Sequence, residues 1–433
     1  MDKIKVIDLF AGLGGIRLGF EQACVDEGIS MECVFTSEIK PAALKALNKN
    51  FSEEHSSVDI TKVTVEEIPA FDFLLAGFPC QPFSYAGSQK GFADTRGTLF
   101  FDIERILEYH KPIGFLLENV EGLVSHDAEK GQKIGKTLLT IIQKLEMLDY
   151  YVSWKVLDSS NFGVPQKRKR IYIVGHKKGK VSLDGFAVHE SKPVDFLESG
   201  KEIEKSPITE RLLEIFEPEE LFGKKIKDKR GGKDNIHSWE LGLKGYISER
   251  ESKLLKRILT ERRKKHWAKD WGIVWMDGMP LTLKQIKSFL DYPELSDDLN
   301  RLNKLGYVRF EHPKQRVEIK SGANTYFKRE YDETKPKGYN IVTGKLSFPI
   351  NEILHPERPV RTLVASDMSR IYVFDKESQG LRKLTRLESL RLSGYPNTYD
   401  PNFETTDTEF YDLVGNTVCV PVVKSIVDRM LKV

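Results

Sequence analysis

Strand and helix patterns alternate through the first 176 residues, and this alternation limits the fold more than any other feature of the chain. Apolar runs typical of strands cover residues 4–10, 33–37, 71–76, 115–117, 151–157 and 170–174. Between them, apolar residues recur at helical spacing, and Pro41 suits the first turn of a helix. The pattern predicts an α/β fold with a doubly wound, mostly parallel sheet.

The alternation stops after Gly175, which indicates a second, smaller domain inserted in a chain of 433 residues. Residues 177–376 are polar, basic and irregular. Regular patterns return near Leu381, where Thr385 and Glu388 have capping-box spacing and residues 421–431 form an apolar helical stripe. We therefore expect domains at 1–176 and 177–376, with residues 377–433 returning to the first.

Composition favours a globular protein of a reducing compartment. Hydrophobic residues make up 40% and charged residues 30% of the chain, which argues against wholesale disorder. We find no apolar run of about 18 residues and no signal-peptide pattern, so we expect a cytoplasmic protein without a membrane span. The four cysteines, Cys24, Cys33, Cys80 and Cys419, have no paired spacing, which predicts neither a disulfide framework nor a zinc site.

Positive charge is concentrated in residues 221–270. This segment has 16 Lys and Arg against 7 Asp and Glu, whereas the whole chain has a net charge of only +3. Such asymmetry is typical of a polyanion-binding surface, although solvated helical faces give the same pattern. The tryptophans in and beside this segment, Trp239, Trp267, Trp271 and Trp275, suit a core better than base stacking.

A thiol and a carboxyl follow two of the predicted strands. Cys80 stands between Pro79 and Pro82 after the strand at 71–76, and Glu118 follows the strand at 115–117. Open α/β folds build their sites at the carboxyl ends of strands, so these groups are candidates for attack on a heteroaromatic ring and its protonation. The alternatives are a buried, inert cysteine and a glutamate that caps a helix or forms a salt bridge.

The turn after the first strand is rich in glycine, which lets a backbone approach a ligand closely. The dinucleotide pattern G-x-G-x-x-G fails, because Arg17 stands where its last glycine belongs. Glu38 ends the second strand, where a carboxylate suits ribose hydroxyls, and Asp59 suits an adenine amino group. Two acids suit a cationic sulfonium, so we expect S-adenosylmethionine. A plain glycine turn with surface acids is the alternative.

Several short motifs follow one another in the order and spacing of a known family. They are residues 12–15 (Gly-Leu-Gly-Gly), 79–81 (Pro-Cys-Gln), 96–102 (Arg-Gly-Thr-Leu-Phe-Phe-Asp), 118–120 (Glu-Asn-Val), 166–170 (Gln-Lys-Arg-Lys-Arg), 382–384 (Arg-Lys-Leu) and 415–418 (Gly-Asn-Thr-Val). With them the chain resembles the DNA (cytosine-5) methyltransferases of bacterial restriction–modification systems, over roughly residues 3–176 and 358–430. The resemblance implies the S-adenosylmethionine-dependent, Rossmann-like methyltransferase fold and a target recognition domain in the middle of the chain.

The resemblance also implies residue roles. Cys80 would be the nucleophile, Glu118 would act on the base, and Arg168 and Arg170 would hold the flipped cytosine and its phosphate. Both arginines lie on an apparent strand, so they face one site only if the chain bends near Lys169. The cofactor would be lined by Phe10, Gly12, Gly14, Glu38, Ile39, Asp59, Ile60, Asn416 and Val418. The DNA contacts would include Ser84, Ser88, Gln89, Arg96, Gln166 (which would also brace its loop) and Thr362.

The function implied is methylation of carbon 5 of a flipped-out cytosine in double-stranded DNA, by a monomer paired with a restriction endonuclease. A related branch of the family methylates tRNA, which stays open as an alternative. A non-catalytic DNA-binding module would explain the basic segment but not Cys80 with Glu118. A zinc-dependent deaminase needs a second cysteine where Phe83 stands.

Overall fold

The chain divides into two compact units. The computed structural model describes residues 3–78, 99–129, 131–228, 234–273, 278–321, 324–342 and 350–433. The first unit comprises Met1–Gly200, His355–Ser369 and Lys383–Val433, and the second comprises Lys201–Leu354 and Arg370–Arg382. These limits differ from the sequence-based ones, since residues after 176 still pack on the first unit: Val181 and Leu183 are buried in its core.

A six-stranded sheet lies at the centre of the first unit. Its strands are β1 (Ile4–Leu9), β2 (Met31–Ser37), β3 (Phe73–Gly77), β4 (Gly114–Val120), β5 (Tyr151–Asp158) and, after the two-residue β6 (Gln166–Lys167), β7 (Lys169–His176). The spatial order is β2-β1-β3-β4-β7-β5. The pairings among β1 to β4 are parallel, whereas β7 is antiparallel to β4 and β5. The predicted mostly parallel α/β class is confirmed.

Helices cover both faces of this sheet because successive residues of a strand point to opposite sides. Ile4 and Val6 of β1 join one hydrophobic cluster, and Ile7 and Leu9 join the other. The helices that follow the first strands are α1 (Gly15–Asp26), α2 (Pro41–Asn50), α3 (Leu99–His110) and α4 (Lys136–Met147). Pro41 occupies the first turn of α2, as predicted.

The second unit combines helices with short strands. Its helices are α5 (Pro207–Ile215), α6 (Pro218–Leu221), α7 (Glu249–Glu261), α8 (Lys265–Asp270), α9 (Leu283–Lys287) and α10 (Leu295–Leu305). Its strands up to residue 354 are β8 (Lys225–Ile226), β9 (Asn235–Ile236), β10 (Val308–Glu311), β11 (Lys314–Ser321), β12 (Asn324–Tyr331), β13 (Gly338–Ile341) and β14 (Glu352–Ile353). Trp239 is buried in its core and Trp267 packs against that core, as the sequence indicated.

The rest of the chain completes both units. Its elements are β15 (Val360–Arg361), α11 (Ala365–Met368), β16 (Ile371–Asp375), β17 (Gly380–Lys383), α12 (Arg386–Arg391), α13 (Asp407–Asn416) and α14 (Val420–Met430). The second unit's five-stranded sheet has the order β17-β16-β14-β8-β9. The capping box predicted at Thr385 is present, with Glu388 N–H bonded to Thr385 Oγ1 and Thr385 N–H bonded to Glu388 Oε2.

The last two helices, taken together over Asp407–Met430, are long and apolar enough to cross a membrane by length and composition. The sequence pattern predicts no membrane span. Most of this stretch is buried inside the molecule, and Val422, Val423 and Ile426 join the same core as α1. Each such side chain contributes about 1.5–3 kcal/mol when fully buried, so the apolar character of the stretch is explained by packing.

Candidate functional site

The ends of β3 and β4 lie side by side. Gly77, the last residue of β3, pairs with Glu118 of β4, and the Asn119 side-chain amide donates to the carbonyl of Phe78 at 3.2 Å. The chain that leaves β3 therefore starts beside Glu118. Cys80 follows two residues after Phe78, but it lies outside the described residues, as do the candidate DNA contacts Ser84, Ser88, Gln89 and Arg96.

Glu118 forms a buried ion pair with Arg170. Arg170 Nε lies 3.1 Å from Glu118 Oε1, and both side chains are largely shielded from solvent. Burial raises the pKa of Glu118 above its ordinary value, because a low dielectric disfavours the charged form, although Arg170 and then Arg168 oppose the shift. The geometry thus supplies a carboxyl that holds its proton more readily than a free glutamate and a cation that fixes its position.

Arg168 lies where the chain passes from β6 to β7. Its guanidinium is buried and donates to three backbone carbonyls: Nη1 to Leu363 (3.2 Å), and Nη2 to Gly415 (3.0 Å) and Thr417 (2.5 Å). Burial, followed by Arg170, lowers the pKa of Arg168 to about 10. The break between β6 and β7 falls at Arg168, and the two arginines have different partners: Arg170 pairs with Glu118, and Arg168 bonds to backbone carbonyls.

Gln166 braces the same region of the first unit. Its side chain is fully buried, with Nε2 donating to the Leu392 carbonyl at 2.8 Å and Oε1 accepting from Leu363 N–H at 3.1 Å. A direct DNA contact by this side chain would break both bonds. Thr362 is partly buried, and its hydroxyl donates to the Lys167 carbonyl at 2.8 Å. Thr362 follows β15, which pairs with β6, and the next residue, Leu363, is buried.

The glycine-rich turn after β1 has a run of left-handed backbone. Phe10, Gly12 and Gly14 have φ angles of 58°, 56° and 71°. A non-glycine residue in this region is uncommon and marks a constrained site. At Gly14 a Cβ would lie 2.5 Å from the Phe51 ring, so both the backbone angle and the space require glycine.

Arg17 occupies the position where the dinucleotide pattern has its third glycine. It is buried at the start of α1 and forms ion pairs of 2.9 Å with Glu21 and with Glu53. Its guanidinium also lies 4.1 Å from the centroid of the Phe51 ring. The dinucleotide pattern has a glycine at this position, whereas this chain has an arginine that is held by side-chain contacts. The sequence alone predicts none of these contacts.

Glu38 and Asp59 both use their carboxylates to order the turns around them. Glu38 Oε2 accepts from Gly12 N–H at 2.8 Å, and Oε1 accepts from Ile39 and Lys40 N–H at 2.8 Å. Asp59 Oδ1 accepts from the Thr61 hydroxyl at 2.7 Å; this bond, followed by Lys62, lowers the pKa of Asp59. Two carboxylates are thus fixed at the ends of neighbouring turns.

The other predicted cofactor residues differ in accessibility. Ile39 and Asn416 are exposed, whereas Ile60 and Val418 are buried. The Asn416 amide donates to the Asp412 carbonyl at 2.7 Å, and this bond holds it at the end of α13. Val418 packs beside Gly15, where an added Cβ would lie 2.9 Å from its methyl group. Val418 therefore acts on the glycine turn through packing.

Asp8 is the group that the sequence analysis left without a role. It sits near the end of β1 with 1% exposure, and neither carboxylate oxygen has a hydrogen-bond partner among the residues described. Burial raises its pKa to about 7, while Arg17 opposes the shift. A strand-end aspartate directly before a glycine turn is the one signal in the sequence that could have identified it. Within the described ranges, no group of three His, Cys, Asp or Glu could hold a metal ion.

The comparisons with known proteins agree with this geometry. The model of the C-5 cytosine-specific DNA methylase family matches residues 4–432, so the chain belongs to that family and is a DNA (cytosine-5) methyltransferase. It is 54% identical over 432 residues to the type II methyltransferase M.NlaIV of Neisseria lactamica, covering 100% of this chain and 99% of that protein. The corresponding identity to M.NgoBV of Neisseria gonorrhoeae is 53% over 432 residues, with the same coverage.

Solved structures show the same fold at low sequence identity. The Dnmt2 methyltransferase of S. pombe is similar with a TM-score of 0.54 at 16% identity, covering 99% of this chain and 98% of that one. The Entamoeba histolytica methyltransferase EhMeth also has a TM-score of 0.54 at 16% identity, with coverage of 100% and 99%. These likenesses confirm the methyltransferase α/β fold.

Proposed function

We propose that the enzyme transfers a methyl group from S-adenosylmethionine to carbon 5 of one cytosine within a specific sequence of double-stranded DNA. The transfer proceeds through a covalent adduct of Cys80 with the base. The enzyme acts as a monomer and is the protective half of a restriction–modification system. The buried ion pair of Glu118 with Arg170, at the strand end beside the chain that leads to Cys80, carries this proposal.

The chemistry assigns separate tasks to the thiol and the carboxyl. The Cys80 thiolate forms a bond to carbon 6 of cytosine, and the electron pair of the ring double bond moves toward carbon 5. Glu118 donates its proton, or a strong hydrogen bond, to ring nitrogen 3 as negative charge develops there. After carbon 5 has taken the methyl group, a water molecule takes the proton of carbon 5, the electron pair returns to the ring and expels the Cys80 thiolate, and ring nitrogen 3 gives its proton back to the Glu118 carboxylate.

Arg168 and Arg170 support this chemistry in different ways. Arg170 fixes the Glu118 carboxyl at 3.1 Å and supplies positive charge beside the base. Arg168 is a positioning residue, because it holds the carbonyls of Leu363, Gly415 and Thr417 around the strand that carries Arg170. Preorganised charge of this kind stabilises a developing anion without further rearrangement.

The groups around the glycine turn fit the proposed cofactor. S-adenosylmethionine supplies a methyl group on a cationic sulfonium. The left-handed turn at Phe10 and Gly12 supports a close approach of a ligand to the backbone. We assign Glu38 to the ribose hydroxyls and Asp59 to an adenine amino group. The buried, unpartnered Asp8 carboxyl adds a further acceptor near the turn among the described residues. We assign the remaining predicted cofactor contacts to Ile39, Ile60, Asn416 and Val418.

The second unit is proposed as the target recognition domain. The target carbon is stacked inside a duplex, so the nucleotide must be flipped out, which costs a few kcal/mol. Reading a sequence through the grooves needs surface beyond the catalytic unit. The printed names of the relatives, type II methyltransferases, support a restriction–modification role.

Radiolabelled S-adenosylmethionine tests the proposal when it is incubated with the enzyme and either DNA or tRNA. We expect label in DNA, at carbon 5 of cytosine in one sequence. A duplex with 5-fluorocytosine at that position should give a covalent adduct, since fluorine blocks the final elimination. Label in tRNA alone would assign the enzyme to the RNA branch, and the absence of a trapped adduct with active enzyme would contradict the addition mechanism.

A further inference from the structure

The antiparallel ribbon of β11 and β12 in the second unit has two chemically different faces. Cross-strand partners share a face, and the register pairs Arg316 with Arg329 and Val317 with Lys328. Along β12, all residues from 326 to 331 are exposed. A two-stranded ribbon exposed in this way gains little free energy from burying its side chains. Burial therefore does not explain why the ribbon carries these residue types.

The first face, which we call the basic face, consists of Lys314, Arg316, Glu318, Phe327, Arg329 and Tyr331. Arg316 and Arg329 lie directly opposite each other. Like charges in that position destabilise a sheet, and neither arginine forms an ion pair within the described part of the chain. The free protein thus keeps an unfavourable pair that a bound anion would convert into a favourable one.

Aromatic rings hold two of these cations in place. The Arg316 guanidinium carbon lies 3.4 Å from the centroid of the Phe327 ring, and Lys314 Nζ lies 4.6 Å from that of Tyr331. Both rings are about half exposed. Cation–π contact fixes the charges without neutralising them, so their hydrogen-bond donors remain available to a ligand.

The basic face continues into a cavity of about 220 Å³ within the second unit. Its lining includes Arg262, Arg309, His312, Lys314 and Arg329. The acidic member of the lining is Glu311, which accepts from the Tyr331 hydroxyl at 2.8 Å and from the Asn340 amide at 2.9 Å. Arg309 pairs with this carboxylate at 3.9 Å, which leaves the lining with more positive than negative charge and makes it a concave surface suited to an anion.

On two other charged surfaces of the second unit, ion pairs within the unit neutralise part of the positive charge. On the opposite face of the ribbon, Lys328 pairs with Glu330 at 3.2 Å. In the basic segment 221–270, many cations are already paired inside the unit; these ion pairs involve Arg250, Lys253, Lys256, Arg257 and Lys264. In contrast, Arg316 and Arg329 lie opposite each other and form no ion pair among the described residues, so their charge is available to a bound anion.

We propose that the basic face of the ribbon enters the major groove of the DNA that the enzyme methylates and that Arg316 and Arg329 help to select its sequence. The groove admits a two-stranded ribbon, and an arginine binds the edge of guanine with two hydrogen bonds. The exposed Phe327 ring suits the methyl group of thymine. This inference rests on the proposed function and assigns the specificity of that function to particular side chains.

The test compares R316Q/R329Q with K328Q in the full-length enzyme. Lys328 adjoins Arg329 in sequence but lies on the other face, so K328Q is the matched control. Methyl incorporation into plasmid DNA is measured and mapped, and binding to a labelled duplex that contains the mapped site is followed against salt. We expect R316Q/R329Q to lower incorporation at the mapped site at least about tenfold and to relax sequence preference. K328Q should stay within about twofold of the wild type.

Folding is monitored independently. Because Arg316 and Arg329 repel each other, R316Q/R329Q should keep or raise the melting temperature of the free enzyme and should bind S-adenosylmethionine normally. A lowered melting temperature, or a wild-type methylation map and salt dependence, would overturn the inference. So would equal loss of binding to an RNA duplex, whose deep, narrow major groove side chains cannot read. If the wild type itself transfers no methyl group to DNA, the proposed function fails instead.

Discussion

Arg168 in the first unit and Arg316 in the second are the same kind of side chain in opposite surroundings. Arg168 is buried, and its guanidinium is bonded to three backbone carbonyls. Arg316 is exposed, lies opposite another arginine and touches an aromatic ring. The difference indicates that the charge of Arg168 is fixed by the protein itself, whereas that of Arg316 has no ion-pair partner among the described residues and is the one we propose a ligand neutralises.

The largest effect is expected at the proposed nucleophile. C80S should lower methyl transfer more than about a thousandfold, because a serine hydroxyl is a far weaker nucleophile than a thiolate at neutral pH. DNA binding should change little if the second unit carries most of the affinity. Incorporation of labelled methyl groups and DNA binding measured on the same preparation check this, and an equal loss of both would show that Cys80 is structural.

E118Q should lower the rate of methyl transfer about 10²–10⁴-fold, the range for a lost general acid. The raised pKa of Glu118 means that its protonated, donating form persists above the usual carboxyl range and is lost as pH rises through that pKa. Activity should therefore fall on the alkaline side. Glutamine cannot titrate, so the variant's rate–pH profile should lose this limb, and retention of the limb would assign it to another group.

R168M and R316M test the comparison directly. R168M should destabilise the protein by about 2–4 kcal/mol, because three buried carbonyls lose a charged donor. R316M should change stability by less than about 0.5 kcal/mol or raise it slightly, since it removes a repulsion. Urea denaturation of both variants measures the difference. Equal destabilisation would mean that the second unit's arginine is structural as well.

An effect smaller than that of R168M is expected at the glycine turn. G14A should cost about 1–2 kcal/mol from the left-handed backbone alone, and more if the Phe51 ring at 2.5 Å from the new Cβ cannot move. G28A is the control, because Gly28 has a φ of 67° and no atom within 4 Å of its would-be Cβ. Chemical denaturation of the two variants separates the cost of backbone strain from the cost of contact with the Phe51 ring. Equal losses of unfolding free energy would mean that this ring moves aside freely.

The sequence predicted the elements of the first unit because their patterns are local. The strand before Gly12, the helix at Pro41 and the cap at Thr385 all depend on neighbouring residues, and the structure confirms each. The approach of Glu118 to the end of β3 also followed from a general rule for parallel strands.

Contacts between residues that are far apart in the sequence could not be predicted from local patterns. Nothing local indicates that Arg168 binds the carbonyl of Thr417, 249 positions away, or that Arg17 reaches Glu53. The same holds for the ribbon: its strands lie in a region whose sequence pattern is irregular, and the opposition of Arg316 and Arg329 depends on register. The roles of Cys80 and of the cofactor residues stay predictions.

The bonds from Gln166 and Arg168 to Leu363, Leu392 and Thr417 have a consequence for biosynthesis. A nascent chain that has emerged only as far as residue 200 carries Glu118 and Arg170 but lacks the carbonyls that anchor their strand. Such a fragment should be inert until the last 80 or so residues leave the ribosome. A prematurely terminated product therefore should not modify the host genome, and supplying the missing segment in trans should restore the enzyme.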